Sequence, residues 1–188
     1  EVITVTDSTH ATLYKKYSGA TQSGVSSQKL GITSTGAAAS YTTQVQVVSA
    51  SGTSSSKLKI SGGWDLLGPT QDGQTYFRQM HGTFANRYGY GLYLSSKSYV
   101  EIERCHFLRY NYGIYLYSSS NNNTLTTPTC NSNNEGIDLY NSSNNTITTP
   151  TCNSNSYGID LDNSSNNTIT TSTCNSNSDC GIYLLSNS

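Results

Sequence analysis

The chain has 188 residues, of which 34% are hydrophobic and only 11% are charged, and its formal net charge is −1. This length is enough for one domain with its own core, and the low charge excludes a charge-rich disordered chain. It also excludes a strongly basic surface for nucleic acid, and no apolar stretch reaches the roughly 18 residues of a membrane span. A neutral surface rich in Ser, Thr, Asn and Tyr is typical of secreted or cell-surface proteins, and we predict that location.

The charges are unevenly distributed along the chain. All ten Lys and Arg residues lie at or before Arg109, and with six acidic residues they give this part a net charge of +4. From residue 110 onward there is no Lys, Arg or His, and five acidic residues give −5. Opposite charges at the two ends can orient end-to-end contacts, so we predict head-to-tail self-association.

Residues 1–90 contain no clear repeat. Four short apolar stretches predict strands, and a fifth stretch predicts a short helix. The strands are EVITV (1–5), TQVQVV (43–48), KLKIS (57–61) and QTYFRQM (74–80), and the helix is THATLYKKY (9–17). We expect one domain over 1–188, with an irregular N-terminal cap over 1–56, divergent coils over 57–90 and regular coils over 91–188.

The rest of the chain is built from a repeated segment. NSSNNTITTPTC at 141–152 recurs with one change at 163–174, and the related SSNNNTLTTPTC occupies 119–130, so the offset is 22 residues. A period of this length is the signature of a solenoid. Thr- and Asn-rich runs with apolar residues at alternate positions exclude a helical solenoid and favour β-strands.

Two strands can be located in each repeat. The first begins at a glycine, as in GIDLY at 136–140, and alternation directs its two aliphatic side chains inward. The second is the NTIT segment, in which Thr side chains on either side of one inward aliphatic residue point outward. We therefore predict an all-β solenoid of parallel strands, with about 22 residues and three strands per coil. Equivalent residues then form columns, including Asn123, Asn145 and Asn167, and Asn131, Asn153 and Asn175.

The cysteines follow the same period. Cys130, Cys152 and Cys174 each lie five residues after the inward aliphatic residue of the second strand, and Val100 followed by Cys105 keeps that offset in the preceding coil. These positions predict core filling, since a free Cys behaves as a small hydrophobic residue. Cys180 breaks the column, and a disulfide between Cys174 and Cys180 remains open at this point.

A family resemblance supports this fold. GIYLYSSSNNNTLTTPTCNSNNEGIDLY, which begins at residue 113, resembles the repeats of right-handed parallel β-helix proteins, in particular the NosD-like and CASH (carbohydrate-binding and sugar-hydrolase) group. The resemblance covers about residues 91–188, with a weaker extension at 57–65. It implies the fold, but the group includes lyases, hydrolases, phage tailspikes and adhesins, so it implies no single function.

The outward positions of the first strand form a face of aromatic and acidic residues. This predicted carbohydrate- or partner-binding face comprises Tyr93, Tyr115, Tyr117, Asp138, Tyr140, Asp160, Asp162 and Tyr183. Such a face can stack against sugar rings or a protein, although Tyr is also an ordinary exposed strand residue.

The three aspartates of this face have more than one possible role. Stacked carboxylates either raise a pKa or recruit a cation, and the resemblance implies calcium at such positions. Asp138, Asp160 and Asp162 are therefore weak metal candidates, with Ca²⁺ as the ion, against a solvated acidic patch. No other cofactor is predicted.

The sequence gives little support for catalysis. A lyase of this fold needs a base and a cation, and the regular repeats from residue 110 onward contain no Lys, Arg or His. A paired-carboxylate glycosidase using the three aspartates remains open.

We predict a non-enzymatic extracellular structural protein, either a surface fibre subunit that assembles by stacking of β-helices or an adhesin-like module. The alternatives are a carbohydrate-binding or polysaccharide-degrading module with a polysaccharide partner, and an ice-binding protein that uses the outward Thr-x-Thr face.

Overall fold

The computed structural model describes residues 2–7, 10–14, 45–48, 50–62, 75–78 and 89–188. Every regular element in these residues is a β-strand, and none of them forms a helix that could cross a membrane. The strands are β1 (Val2–Asp7), β2 (His10–Tyr14), β3 (Val45–Val48), β4 (Leu58–Ser61), β5 (Thr75–Arg78), β6 (Tyr90–Ser95), β7 (Val100–Glu103), β8 (Cys105–Leu108), β9 (Tyr112–Tyr117), β10 (Thr124–Thr126), β11 (Thr129–Asn131), β12 (Glu135–Tyr140), β13 (Thr146–Thr148), β14 (Tyr157–Asp162), β15 (Thr168–Thr170) and β16 (Cys180–Leu185).

Three parallel sheets form the walls of a β-helix. The first sheet contains β3, β6, β9, β12, β14 and β16, the second contains β4, β7, β10, β13 and β15, and the third contains β5, β8 and β11. From β3 to β11, consecutive strands enter the first, second and third sheet in turn, so each set of three makes one coil. In the two later coils, isolated bridges at Thr151 and Thr173 take the place of the third strand. The predicted parallel β-helix is confirmed, with three strands in each coil up to β11.

Equivalent residues of successive coils lie directly above one another. Ile137 pairs with Ile114 in the coil before and with Ile159 in the coil after, and all three side chains are fully buried. Burying one such side chain contributes about 1.5–3 kcal/mol. A single coil of short strands cannot enclose its apolar side chains, so stability comes from stacking coil on coil.

The corners between strands require left-handed backbone at fixed positions. In one coil, Asn141, Asn144, Thr149 and Ser154 have φ angles of 50°, 60°, 52° and 59°. Asn adopts this conformation more readily than other residues with a side chain, which explains the Asn-rich corners. The left-handed Thr149 is held by its N–H, which donates to the Thr170 carbonyl at 2.9 Å.

Three columns of polar side chains line the corners inside the solenoid, and we call them the corner ladders. They comprise Ser120, Ser142 and Ser164; Asn123, Asn145 and Asn167; and Asn133, Asn155 and Asn177. In each ladder the backbone N–H of one coil donates to the side-chain oxygen of the next coil. The N–H of Asn123 donates to Asn145 Oδ1 at 2.8 Å, and the N–H of Asn133 donates to Asn155 Oδ1 at 2.8 Å. These bonds satisfy backbone donors that the strands leave unpaired at the corners.

The two predicted asparagine columns both make bonds between coils. The Asn123 column is one of the corner ladders. In the outer column, the N–H of Asn153 donates to Asn131 Oδ1 at 2.8 Å, so this column runs in the opposite sense and is only partly buried. The Asn133 and Ser120 ladders were not predicted, because their sequence positions do not show which corner residues face inward.

The predicted helix over residues 9–17 is wrong where the structure describes it. Residues 10–14 form β2, which pairs antiparallel with β1 and places Leu13 beside Ile3. Pairing supplies the backbone hydrogen-bond partners that each isolated segment lacks, and this outweighs the weak local helix signal. Residues 15–17 lie outside the described residues.

The predicted position of Cys105 in the cysteine column is also wrong. Ile102, not Val100, pairs with Leu125, and Phe107 pairs with Cys130. The offset of five residues is therefore kept, but it runs from Ile102 to Phe107. Val100 and Ile102 are both apolar and lie two residues apart, so the sequence allowed two registers for this divergent coil that differ by two residues.

The four predicted N-terminal strands are all present as β1, β3, β4 and β5. Since β3 (Val45–Val48) pairs in parallel with β6, the first sheet extends back into this part of the chain. The predicted division of the domain into residues 1–56, 57–90 and 91–188 stays a prediction.

Candidate functional site

The outer surface of the first sheet carries most of the predicted site residues. Its outward side chains form three columns that run along the solenoid, and we call this surface the tyrosine–carboxylate face. The columns are Tyr90, Tyr112, Glu135, Tyr157 and Cys180; Tyr93, Tyr115, Asp138, Asp160 and Tyr183; and Ser95, Tyr117, Tyr140, Asp162 and Leu185. The second and third columns contain all eight predicted residues.

The first column was missed because a glycine interrupts the alternation. A Cβ on Gly113 would lie 2.5 Å from the Gly136 carbonyl oxygen and 2.8 Å from Asn133 Nδ2, so this position faces the filled interior and has no room for a side chain. Ile114, the next residue, is buried as well. Because Gly113 and Ile114 both face inward, Tyr112 lies on the same outer face as Tyr115. The glycine at the second position of each first-sheet strand was the available signal.

The tyrosines of this face pack against one another within and between coils. Ring centroids are 4.7 Å apart for Tyr112 and Tyr115, 5.3 Å for Tyr90 and Tyr112, and 5.6 Å for Tyr93 and Tyr115. The array continues through Tyr117 at 5.5 Å from Tyr115. Each such pair contributes about 0.5–1.5 kcal/mol beyond the area it buries. The face is thus a fixed aromatic surface and not a set of independent exposed side chains.

Asp138 lies within this aromatic surface and is only 7% exposed. Burial, followed by the charges of Glu135 and Asp160, raises the pKa of Asp138 to about 9. Burial also raises the pKa of Glu135, and a hydrogen bond joins its carboxylate to the protonated Asp138. A solvated acidic patch is therefore wrong for Asp138, because its environment favours the neutral carboxyl.

The negative charge on this face has little compensation. Burial and the neighbouring Asp162 raise the pKa of Asp160, and Asp160 Oδ1 is buried without a hydrogen-bond partner. No Lys, Arg or His occurs from residue 110 onward. Burial and Asp138 also raise the pKa of the Tyr115 hydroxyl. The face therefore favours protons or cations over further anions.

The second candidate feature is a column of cysteines in the interior of the solenoid. Cys130, Cys152 and Cys174 form a thiol column in which Cys130 and Cys152 are fully buried and Cys174 is partly buried. Bridges between Thr129 and Thr151 and between Thr151 and Thr173 stack the three cysteines from coil to coil, and all three are free. The neighbouring Cys130 thiol and burial raise the pKa of the Cys152 thiol. The column is therefore a run of protonated thiols stacked from coil to coil.

The other two described cysteines are separate from this column. The buried Cys105 thiol donates to the Glu103 carbonyl at 3.3 Å. Cys180 pairs in register with Tyr157, and the next residue, Gly181, is the one whose Cβ would point at Cys174. Cys174 and Cys180 are both free, so the disulfide left open by the sequence does not form.

The structure does not assemble the predicted calcium ligands into a site. Asp138 and Asp160 are paired neighbours in one column, and Asp162 lies in the adjacent column. Within the described ranges, no three His, Cys, Asp or Glu side chains converge as a group that could hold a metal ion. A metal bound by these residues would need fewer protein ligands or a local rearrangement.

Comparison with known proteins decides the family. A family described as periplasmic copper-binding protein (NosD) matches residues 23–188. The chain belongs to the NosD family. The predicted resemblance is confirmed, while no curated protein and no solved structure matches the chain.

Membership of the NosD family overturns the predicted function. The family is described by copper binding, so the predicted structural fibre or adhesin is wrong, and the carbohydrate and ice-binding alternatives gain no support. The equal residues of successive repeats suggested stacking into a filament. They instead align the coils within one chain, as every solenoid must do to bury its core. The predicted location outside the cytoplasm agrees with the periplasmic family, although display at the cell surface finds no support there.

Proposed function

We propose that this NosD-family protein is a periplasmic copper-binding protein. The observation that carries the proposal is the family match over residues 23–188, which includes every coil from β3 onward. The parallel β-helix supplies a rigid frame in which side chains are held at fixed intervals along three faces. Such preorganisation suits a protein that holds a ligand without large movement.

The donor chemistry of the described residues is compatible with copper. Copper(I) is selected by soft sulfur ligands, and imidazole nitrogen also suits copper. The thiol column supplies adjacent sulfur atoms, whereas the tyrosine–carboxylate face supplies only oxygen atoms apart from Cys180. His106 adds a neutral imidazole on the third sheet, because burial lowers its pKa. Sulfur is therefore the donor in this chain that best matches copper.

Metal content measured on the purified chain tests this proposal. Apo-protein is dialysed against copper(II) in air and against copper(I) under anaerobic reducing conditions, with zinc and magnesium as parallel controls. We expect copper to remain bound after gel filtration in at least one oxidation state, and magnesium to be lost. Loss of copper in both oxidation states would contradict the proposed function.

Two further predictions from the sequence stay predictions. One is that the tyrosine–carboxylate face binds a partner, which the packed tyrosines and the uncompensated carboxylates support. The other is head-to-tail self-association.

A further inference from the structure

The exposed corners of the solenoid carry a repeated acceptor motif for N-linked glycans. The sequon Asn-x-Ser/Thr, in which x is not proline, marks an asparagine to which an oligosaccharide can be attached. It begins at five asparagines of the chain, and all of them are exposed: Asn122, Asn141, Asn144, Asn163 and Asn166. None of the buried asparagines of the corner ladders begins a sequon. The fold therefore separates buried structural asparagines from exposed acceptor asparagines.

Three of these acceptors form one column, which we call the sequon column. Asn122, Asn144 and Asn166 have φ angles of 59°, 60° and 57°, so they lie at the same left-handed corner before the second sheet. The N–H of Asn122 donates to the Ser143 carbonyl at 3.3 Å, and the N–H of Asn144 donates to the Ser165 carbonyl at 3.1 Å. Within the described part of the chain, no hydrogen bond engages the side-chain amides of this column. These amides are thus exposed and available for reaction.

The other two sequons are less available. Asn163 Nδ2 donates to Asn141 Oδ1 at 3.0 Å, and the hydroxyl of Ser165, which completes the Asn163 sequon, donates to a backbone carbonyl. In the sequon column, the completing hydroxyls belong to outward residues of the second sheet: Thr124, Thr146 and Thr168. The exposed Lys57 Nζ donates to Thr124 at 3.0 Å, which leaves the hydroxyl proton of Thr124 unused. The sequon column is therefore the better acceptor.

The spacing of the sequon column limits how many glycans it can hold. Neighbouring strands are about 4.8 Å apart, and an N-linked glycan is bulky. A glycan at Asn144 would therefore crowd the positions directly before and after it in the column. Asn122 and Asn166 are two coils apart, at about 9.6 Å, so both can be occupied together when Asn144 is not.

We propose that the sequon column is an N-glycosylation site, in which Asn122 and Asn166 accept an oligosaccharide from a polyprenyl phosphate-linked donor through an oligosaccharyltransferase. The asparagine Nδ2 bonds to the anomeric carbon of the first sugar. The bond from that carbon to the donor's phosphate oxygen breaks, and the phosphate keeps the electron pair. The amide releases one of its two protons to a base of the transferase, so no oxidant or reductant is consumed.

The location of the chain is compatible with this modification, and the inference does not rest on copper binding. Oligosaccharyl transfer acts on exported chains, and the family to which the chain belongs is periplasmic. A failure to bind copper would leave this proposal unchanged, and an unmodified chain would leave the proposed function unchanged.

Mass spectrometry of the protein purified from its native cells tests the proposal. No Lys or Arg follows Arg109, so an aspartate-specific protease replaces trypsin, and its cuts at Asp138 and Asp160 separate the three acceptors of the column. We expect glycans at Asn122 and Asn166, located by electron-transfer fragmentation, and an intact mass with no more than two glycans in this column. Unmodified Asn122 and Asn166, or sugars on hydroxyls alone, would overturn the proposal. Three column glycans on one molecule would overturn the spacing argument.

Thr168→Ala tests whether the sequon directs the modification. The substitution keeps Asn166 and its exposed corner but removes the hydroxyl that completes the sequon, whereas Thr168→Ser retains a hydroxyl. Thr170→Ala is the matched control, because Thr170 is also exposed on β15 and belongs to no sequon. We expect the Asn166 glycan to be lost in Thr168→Ala and kept in the other two variants, all folded by circular dichroism. A glycan retained at Asn166 in Thr168→Ala, or lost in Thr170→Ala, would overturn the site.

Discussion

At the scale of single residues, Asp138 shows how a regular repeat produces an irregular electrostatic environment. The equivalent position is Tyr115 in the coil before and Asp160 in the coil after. Asp138 thus lies where the aromatic part of the face meets the acidic part. The tyrosine side shields it from water and the acidic side opposes its ionisation, so both neighbours favour the protonated form.

We expect stability to fall as the pH rises, and Asp138→Asn to reduce this fall. Because the pKa of Asp138 is raised from an ordinary value of 3.8 to about 9, the folded chain binds a proton that the unfolded chain releases between these pH values. The stabilisation is complete below about pH 4 and is lost as the pH approaches 9. Asparagine cannot ionise, so at pH 8 the variant should be more stable by on the order of 2 kcal/mol. Urea unfolding at several pH values measures both effects.

The control for this experiment is Thr170→Asn, which introduces the same amide at an exposed position of the second sheet. It should keep the slope of stability against pH found in the wild type. If Asp138→Asn also keeps that slope, the buried carboxyl is not the group that titrates.

At the scale of elements, the strands of this protein are held in register by their corners as much as by their sheets. The second-sheet strands β10, β13 and β15 are three residues long, too short to fix a register by themselves. The corner ladders add side-chain bonds between coils, and these bonds form only when equivalent residues are aligned. The polar corners therefore specify the alignment that the apolar columns stabilise.

Asn155→Ala is expected to destabilise the protein by about 3 kcal/mol. The substitution removes the acceptor for the buried Asn133 N–H and the donor to the Cys130 carbonyl at 2.9 Å, and each buried polar group left unpaired costs about 1–3 kcal/mol. Asn153→Ala is the matched control, since it removes the side-chain acceptor of the Asn175 N–H in the outer column, where water can replace it. Urea unfolding followed by circular dichroism should show a loss below about 1 kcal/mol for the control. Equal losses in the two variants would show that the inner ladder has no special role.

At the scale of the whole molecule, the solenoid is a stack in which each coil contacts only its neighbours. Stability in such a stack is close to a sum of the contributions of coils and of the interfaces between them. Because nearly identical segments are offset by 22 residues, one coil can be deleted to test this property.

Deletion of residues 141–162 should leave a folded protein with one coil fewer. The deletion joins Tyr140 to Asn163, which begins the same sequence as Asn141, so every later residue keeps its column. We expect a β-sheet circular dichroism spectrum, cooperative melting and a stability lower by a few kcal/mol, on the order of one coil's contribution. Deletion of residues 141–151 is the control, because removing half a coil leaves too few residues between β12 and β14 to complete a turn, so the later strands lose their columns. Similar melting of the two proteins would contradict the columnar packing.

The sequence predicted most of the fold and only part of the site, and particular residues show why. Identical repeats made the columns of Ile137 and Cys152 readable, since equal residues must occupy equal positions. The divergent coil around Cys105 offered two registers, and the glycines concealed the first column of the tyrosine–carboxylate face. The family's description could not be inferred from the repeat, because the pattern that encodes a solenoid is dictated by its core and corners.

The direction of the corner ladders has a consequence for how the molecule is made. Each inner ladder bond runs from an amide in one turn of the helix to an oxygen in the following turn, so a turn is complete only once its successor has been laid down. The N-terminal turns leave the ribosome first and present these waiting amides as a template. We therefore expect a new coil to dock by supplying oxygens to the amides that the preceding coil presents.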